Sequence, residues 1–270
     1  MSISLGNAIS SIKEEPKWIS KCVIGALIGY VIPFVIGAIQ GFLEATSVLT
    51  EGSLVCQIIV FTISLILGLY MSGFIYTTMN RVVNSSEPFK MAEWNEKNLL
   101  LTGLKVTLSC IGWILLTSLV FGLCFLIIFL GIAIVNALIS ALFNMFLNTD
   151  LQIITIFSGL ICCVLGIIYG LYLAQFINTA FACFLKTLRF KDLIAYKKHF
   201  RIINENKHAS WTLIGKNILF SLAIFGIVLA LSVTIIGIVL LPFVCFAGYF
   251  VSLNLIAQYA KEIEIDKYLN

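Results

Sequence analysis

Side chains that could carry out chemistry are concentrated in two polar strips, residues 81–98 and residues 186–207. The first strip contains three glutamates, Glu87, Glu93 and Glu96. A pair of carboxylates can act as general acid and base when the reacting group and its partners stand within reach. No histidine and no metal-ligand spacing accompanies these glutamates in sequence. We therefore interpret them as a solvated helix face, and we predict that the chain is not an enzyme and has no catalytic residues.

The histidines and cysteines could act through metal binding or nucleophilic attack. The chain has two histidines, His199 and His208, and eight cysteines that lie nearly all in apolar runs. Their spacing matches no zinc site, and the sequence contains no phosphate-binding loop, HExxH or GxSxG motif. We expect no metal and no cofactor, with solvated histidines and with cysteines that serve as small hydrophobic side chains. The alternative is that the two histidines bind a metal ion or sense pH.

The remainder of the chain is apolar enough to belong in a membrane. Of its 270 residues, 60% are hydrophobic and 11% are charged, against about 25% charged residues in an ordinary soluble protein. The charge-free stretches exceed the about 20 residues that span a bilayer. The pattern predicts an all-α, polytopic transmembrane bundle of about six spanning helices, with interfacial amphipathic helices, in one integral membrane domain over residues 1–270. The apolar segments are 18–41, 53–79, 102–130, 151–185, 211–236 and 237–260.

The distribution of basic residues predicts the orientation of these helices. With a cytoplasmic N-terminus and six crossings, all 17 lysines and arginines lie on the cytoplasmic side, which follows the positive-inside rule. We therefore expect a multi-pass protein of the cell membrane with both termini in the cytoplasm. The net charge of +4 then orients the chain, and no nucleic acid is expected as a partner because no reader motif is present.

Residues 131–147 leave two alternatives open. The stretch 102–147 is too long for one crossing and about right for two, but two crossings would put the basic second strip outside. We prefer one crossing followed by a second, non-spanning helix at the outer interface; a true spanning helix is the alternative. The polar residues Asn136, Ser140, Asn144 and Asn148 recur every four positions and would form a stripe on one face of that helix.

The second strip has the pattern of a basic amphipathic helix. Its apolar residues Leu193, Tyr196, Phe200 and Ile203 share one helical face. Such a helix can lie on the anionic inner leaflet with its cations at the headgroups; alternatively, it packs on the ends of the bundle, and the two interpretations are not exclusive. The residues expected to contact the lipid surface are Lys191, Lys197, Lys198 and Arg201, together with Trp94 of the first strip, whose indole suits the headgroup region.

Two ten-residue segments indicate an internal repeat. GLYMSGFIYT (residues 68–77) and GLYLAQFINT (residues 170–179) are identical at six positions. Each segment ends a helix that runs toward the cytoplasm, so the repeat would be parallel, about an axis along the membrane normal. The halves would be 18–130 and 131–236, followed by an extra helix at 237–260. A bias toward Phe, Ile, Leu and Gly leaves chance similarity as the alternative.

The segment GFIYTTMNRVVNSSEPFKMAEWNEKNLLLTGLK, residues 73–105, has Gly-Phe near the end of one apolar run, then an Arg, then Glu-Trp, and Gly-Leu-Lys near the start of the next apolar run. In this order of residues it resembles part of a family of prokaryotic multi-pass membrane proteins, domain of unknown function 4013. Its members have a helix ending in Gly-aromatic, then Arg, a Pro-Glu-Trp-like turn, and Gly-Leu-Lys at the start of the next helix. Ala92 stands here where the family usually has proline. The resemblance implies a helical protein of a bacterial or archaeal cell membrane, and it implies no activity. The matching residues are Gly73, Phe74, Arg81, Glu93, Trp94, Gly103, Leu104 and Lys105.

These observations favour a non-enzymatic membrane protein that organises or accompanies a membrane assembly. It would act through lipid contact at its cytoplasmic helices, or as an accessory subunit of another membrane protein or of a second copy of itself. The alternative is a permease or a transporter of lipids or small solutes, which the repeat and the polar stripe favour. The lack of charged residues at mid-membrane positions disfavours a proton-coupled or charge-coupled transporter.

Overall fold

The computed structural model describes residues 3–45, 53–85, 89–147 and 151–269, and every regular element in these ranges is a helix. Six helical segments of the described chain are long and apolar enough to cross a membrane, which confirms the all-α polytopic bundle. In chain order the helices are α1 (Leu5–Glu14), α2 (Trp18–Ala26), α3 (Ile32–Ala45), α4 (Ser53–Asn84), α5 (Leu99–Leu147), α6 (Leu151–Thr187), α7 (Phe190–Leu193), α8 (Tyr196–Glu205), α9 (Lys207–Ser232), α10 (Ile235–Glu262) and α11 (Asp266–Leu269).

The first span contains a local distortion next to a proline. α2 and α3 are joined by a π-helical segment, Leu27–Val31, and Pro33 follows it at the second position of α3. Proline has no N–H to donate, and its ring opposes the carbonyl of the residue four positions earlier, here Gly29. A widened turn before Pro33 relieves this conflict, so α2, the π-helical segment and α3 form one continuous span, Trp18–Leu43.

α5 differs from the expectation for residues 131–147. These residues continue α5 without a break, so the separate non-spanning helix predicted there is not present. The stretch contains no proline and no charged residue, so nothing in it stops a helix. The 49 residues of α5 extend about 70 Å at ~1.5 Å per residue. The side chains of the polar stripe, Asn136, Ser140, Asn144 and Asn148, lie outside the described part of the chain.

The first strip also differs from the expectation. Residues 89–98 form turns and no helix, so Glu93 and Glu96 do not stand on a helix face, and Glu87 lies outside the described residues. The turns are held by side chains rather than by helical hydrogen bonds. The Ala92 N–H donates to Thr78 Oγ1 at 3.0 Å, and the Glu93 N–H donates to Glu96 Oε1 at 2.7 Å.

Both ends of the described chain and both polar strips meet at one end of the bundle, which we call the polar end. The Ile3 N–H donates to Glu262 Oε2 at 2.8 Å, so α1 docks on the end of α10. Lys261 Nζ donates to the Ser85 carbonyl oxygen at 2.9 Å, which joins α10 to the first strip. Lys186 Nζ lies 3.0 Å from Asp266 Oδ2, which joins the second strip to α11.

The buried core lies in the half of the bundle next to the polar end. Its fully buried aromatic side chains come from α4, α6 and α10, and include Phe74, Phe184, Phe250 and Tyr259. The Tyr259 hydroxyl lies 3.2 Å from Thr179 Oγ1 and 2.9 Å from Ser210 Oγ. These three hydroxyls can be buried at little cost in free energy because they hydrogen-bond to one another. Together they connect α6, α9 and α10.

Candidate functional site

Two glycines of the motif bring α4 and α5 into backbone contact. A Cβ atom on Gly73 would lie 1.8 Å from the Leu99 carbonyl oxygen, and one on Gly103 would lie 1.7 Å from the Leu69 carbonyl oxygen. Both distances are far below van der Waals contact with backbone atoms that cannot move aside. Small residues allow helices to approach this closely in a membrane. Gly73 and Gly103 therefore fix the crossing of α4 and α5 and the position of the strip between them.

Trp94 is docked on the bundle by the strip that connects α4 to α5. Its ring stacks on Phe74, with ring centroids 3.7 Å apart and an interplanar angle of 4°. Its indole Nε1–H donates to the Lys21 carbonyl oxygen at 3.3 Å. Part of the ring remains exposed. The motif tryptophan therefore has structural partners on two spans, and its contact with lipid headgroups stays a prediction.

A buried lysine connects the N-terminal segment to the motif. Lys21 Nζ lies 2.8 Å from Glu15 Oε1 and 2.8 Å from Glu93 Oε1, and it donates to the Met91 carbonyl oxygen at 3.3 Å. The Lys21 and Glu15 side chains are only 6% and 3% exposed. Desolvating two such charges is costly unless they are paired and hydrogen-bonded. These contacts pair both charges and satisfy Lys21, whereas Glu15 Oε2 has no hydrogen-bond partner among the described residues. In the sequence, the signal for this cluster is Lys21, the single charged residue within the apolar segment 18–41.

The motif arginine holds the first strip from its other side. Arg81 forms a bidentate pair with Glu96, at 2.9 Å and 2.6 Å, in the geometry that matches a guanidinium to a carboxylate. Partial burial alone would raise the pKa of Glu96, but the Glu93 N–H and the Arg81 guanidinium lower it. Glu96 is thus engaged in a structural contact, whereas Glu93 pairs with Lys21 while its side chain stays 59% exposed. Lys105 is exposed and has no ion pair in the described chain.

The second strip forms α7 and α8. Of the predicted apolar face, Leu193 and Ile203 are buried and Tyr196 is half-buried, so the buried face of α8 overlaps the predicted one in part. The chain bends at Ile194 and Ala195, so Leu193 does not continue the face of α8. The buried residues of α8 are His199, Ile202 and Ile203, whereas Phe200 is 49% exposed. α8 therefore packs against the ends of the spans, as in the alternative interpretation, and its outer face carries Phe200 with the exposed cations Lys197 and Arg201.

His199 is fully buried, which overturns the expectation of a solvated histidine. Its Nε2 lies 2.8 Å from the Asp192 carbonyl oxygen, and its ring meets Phe176 edge-on at 5.1 Å. Burial lowers the pKa of His199 to about 4, so the ring is neutral at physiological pH. The nearby Asp192 carboxylate accepts from Thr187 Oγ1 at 2.7 Å and from Lys198 Nζ at 3.2 Å. The pattern of polar and apolar residues gave no signal for this burial.

The cations predicted to contact lipid differ in their positions and in whether a carboxylate pairs with them. Four basic residues and one tyrosine line a cavity of about 330 Å³ between α8 and α11. Three of the four cations have a carboxylate partner: Lys198 with Asp192, Arg201 with Glu205 at 2.8 Å, and Lys267 with Glu264. The cavity, which we call the basic cavity, is lined by Lys197, Lys198, Arg201, Lys267 and Tyr268.

Lys191 and Lys197 are the two predicted contacts that stay available to an external anion. Both are exposed, and neither has an ion pair within the described residues. Lys197 lies in the basic cavity, whereas Lys191 lies on α7 outside it. In the Arg201–Glu205 pair, the hydrogen bond from Arg201 lowers the pKa of Glu205, and the hydrogen bond from Tyr268 lowers this pKa further. The basic cavity therefore carries more positive than negative charge.

In the described ranges, no group of three or more His, Cys, Asp or Glu side chains is arranged to hold a metal ion. Two of the cysteines, Cys22 and Cys183, are buried, whereas Cys124 and Cys163 are exposed on spanning helices. The expectation of small hydrophobic cysteines thus describes two different environments, one in the core and one on the apolar surface.

The comparison with known proteins identifies the family. A family described as "Protein of unknown function (DUF4013)" matches residues 55–240. No curated protein and no solved structure matches the chain. The matched range covers well over half of the 270 residues and contains α5, α8, the crossing glycines and the Arg81–Glu96 pair. The chain therefore belongs to the DUF4013 family of proteins of unknown function.

Proposed function

We propose that this family member is a non-enzymatic protein of a prokaryotic cell membrane that holds anionic lipid headgroups at its polar end, on the cytoplasmic side, and so organises or accompanies a membrane assembly. The observation that carries the proposal is the basic cavity between α8 and α11. Its cations project from short helices at the ends of the spans, where a headgroup phosphate would lie. A membrane-bound anion would meet there an unpaired lysine, Lys197, beside three ion pairs.

The chemistry of the basic cavity suits a phosphoryl group. Lysine binds phosphate as a point charge, and arginine adds a planar fork of donors. Arg201 now uses its Nε for Glu205, which leaves its two terminal nitrogens without a hydrogen bond in the described chain. The Tyr268 hydroxyl donates to Glu205 Oε2 at 2.8 Å, so the carboxylate is held by two partners and is kept from neutralising Lys197.

The test compares charge removal inside and outside the basic cavity. The double variant Lys197→Gln/Arg201→Gln removes two cavity cations, and the control Lys90→Gln/Lys97→Gln removes two exposed lysines of the first strip. Each full-length protein is equilibrated with equal amounts of phosphatidylglycerol and phosphatidylcholine, and the bound lipids are counted by native mass spectrometry. We expect a preference for phosphatidylglycerol that falls at least threefold in the cavity variant and is kept in the control.

Two results would count against this proposal. Equal preferences in both double variants would mean that the basic cavity does not select headgroups. Competition by inorganic phosphate at millimolar concentration would mean that the cavity takes a soluble anion rather than a lipid. Binding that resists phosphate and depends on Lys197 and Arg201 supports the lipid function.

We further infer that the chain is a parallel repeat, as the two similar segments predict. Phe74 and Phe176 occupy equivalent positions in those segments. Phe74 stacks on Trp94 of the first strip, and Phe176 stacks on Tyr196 of the second strip with centroids 5.4 Å apart and a 15° interplanar angle. The same aromatic contact in both halves supports the repeat more strongly than the sequence identity alone.

A lipid or small-solute transporter is the second candidate function. It is favoured by an apolar cavity of about 440 Å³ between α5 and α6, a size typical of ligand sites. Proteoliposomes separate the two candidates, because a transporter moves a fluorescent lipid between leaflets faster than protein-free vesicles do. An unchanged rate with intact phosphatidylglycerol preference favours the non-transporting function.

A further inference from the structure

The groove between α5 and α6 is almost entirely apolar. Its lining includes Trp113, Thr117 and Phe121 on α5 and Tyr169, Leu173 and Ile177 on α6. A second cavity of about 420 Å³ continues along the same two helices and shares Phe125 and Tyr169 with the first. The two cavities follow one another along α5 and α6 and meet at Phe125 and Tyr169; we call them together the α5–α6 groove.

Two polar groups in this apolar lining have no hydrogen-bond partner. Trp113 Nε1 and Thr117 Oγ1 are buried, and neither has a partner among the described residues. The two residues are 4% and 8% exposed, and they lie one helical turn apart on the same face of α5. A buried donor without an acceptor is unfavourable, because it has lost its hydrogen bonds to water. Neither atom is reached by a water-sized sphere, so an acceptor for the pair has to come with an occupant that parts the side chains covering them.

The position of these groups fits the region just below the lipid headgroups. Trp113 lies eight residues beyond the exposed Lys105, which is about 12 Å along the helix. The end of the groove nearest the polar end is covered by α7, because a Cβ atom on Gly112 would lie 3.3 Å from the Phe190 ring. Trp113 also meets Phe181 edge-on at 5.4 Å. An occupant therefore enters sideways from the bilayer.

We propose that the α5–α6 groove binds one acyl chain of a membrane lipid, whose ester carbonyl oxygen accepts hydrogen bonds from Trp113 Nε1 and Thr117 Oγ1. The first cavity of about 440 Å³ holds roughly fifteen carbons at ~30 Å³ for each water-sized group, which is the length of an ordinary acyl chain. The rest of the lining offers only dispersion contacts, as a hydrocarbon chain requires. This site uses no charged residue and does not depend on the basic cavity.

The experiment fills the groove without disturbing the fold. Gly122 lines the groove, and a Cβ atom there would meet nothing within 4 Å, so Gly122→Phe places a ring in the groove. Gly131→Phe is the matched control, because Gly131 lies on the same helix, is equally open and does not line the groove. The full-length proteins are delipidated in detergent, given dioleoylphosphatidylcholine, and weighed by native mass spectrometry.

We expect one tightly held lipid on the wild-type protein and on Gly131→Phe, and at least a tenfold loss of occupancy in Gly122→Phe. The proposal is overturned if the wild type holds no lipid, if Gly122→Phe holds as much as the wild type, or if both glycine variants lose it equally. Phosphatidylcholine carries no net charge, so these outcomes are independent of headgroup selection by the basic cavity.

The hydrogen bond is tested with a second variant. Trp113→Phe keeps an aromatic ring and removes the indole donor. The wild type should bind ester-linked phosphatidylcholine at least fivefold more tightly than its ether-linked analogue, since each hydrogen bond contributes about 1 kcal/mol. Trp113→Phe keeps the Thr117 donor and should show a smaller preference, whereas Trp113→Phe/Thr117→Val removes both donors and should bind the two lipids alike. An undiminished ester preference in Trp113→Phe would refute the role of Trp113.

Discussion

His199 should make the protein less stable in mild acid. The ring is fully buried and its pKa is lowered to about 4, whereas an unfolded chain has a histidine pKa of about 6.5. Between these two values the unfolded state binds more protons than the folded state. The free energy of unfolding therefore keeps its full histidine contribution above pH 6.5 and falls as the pH drops toward 4.

The size of this loss follows from the difference between the two pKa values. One pKa unit corresponds to about 1.4 kcal/mol, so acidification from pH 7 to pH 5 should lower the free energy of unfolding by about 2 kcal/mol through this residue alone. Asp192 and Lys198 are the charged residues next to the ring. Burial is the largest cause of the lowered pKa of His199 and Lys198 adds to it, so together they outweigh the opposing charge of Asp192.

Two measurements check this prediction. Detergent-solubilised wild type and His199→Gln are unfolded with denaturant at pH 7, 6 and 5, and the difference between their pH dependences isolates His199 from the carboxylates. In a His208→Gln protein, His199 is the single histidine left, and its NMR signal reports its pKa directly. We expect a midpoint below pH 5. A midpoint at or above 6.5, or equal pH dependence of wild type and His199→Gln, would refute the reasoning.

Two further predictions concern the motif and its support. Gly73→Ala places a methyl group 1.8 Å from the Leu99 carbonyl oxygen and should destabilise the protein by about 1–3 kcal/mol or more. The control Gly122→Ala, at an open position of the bundle, should melt within a few degrees of wild type. Equal melting temperatures of the two variants would contradict the close crossing of α4 and α5. Lys21→Met leaves Glu15 buried without its partner and should cost about 3–5 kcal/mol, and Lys21→Met/Glu15→Leu should regain much of that stability in the same unfolding assay. A double variant no more stable than Lys21→Met would show that the ion pair itself is needed.

The six spans could be predicted from the sequence because hydrocarbon thickness sets a length that charge-free runs must match. The end of α5 could not, because the prediction assumed that a helix stops when it has crossed the membrane. Residues 131–147 contain nothing that ends a helix, and α5 continues through them. Span length follows from the bilayer, whereas helix length follows from local backbone chemistry, and here the two differ.

The candidate site was predictable only in part, because its contacts join residues far apart in the chain. The motif residues Gly73, Arg81 and Trp94 were identified by resemblance, but their partners Leu99, Glu96 and Phe74 follow from the folded geometry. The sequence around His199 predicted an exposed side chain, since this residue lies in a basic, polar strip. Its burial depends on the bend at Ile194–Ala195, which rotates α8, and a helical-wheel pattern that runs across a bend assigns the faces wrongly.

The docking of α1 on α10 has a consequence for how the protein is made. Besides the Ile3–Glu262 contact, the Ser4 N–H donates to Gln258 Oε1 at 2.9 Å, and Asn254 Nδ2 donates to Ser11 Oγ at 3.1 Å. α1 emerges from the ribosome about 250 residues before the end of α10, so at 5–20 residues per second it waits about 10–50 s for this partner. During that interval the apolar side of α1 stays uncovered. The docking of α1 on α10 is therefore a late event that follows insertion of α10, and a chain interrupted before α10 would keep that surface open to chaperones and proteases.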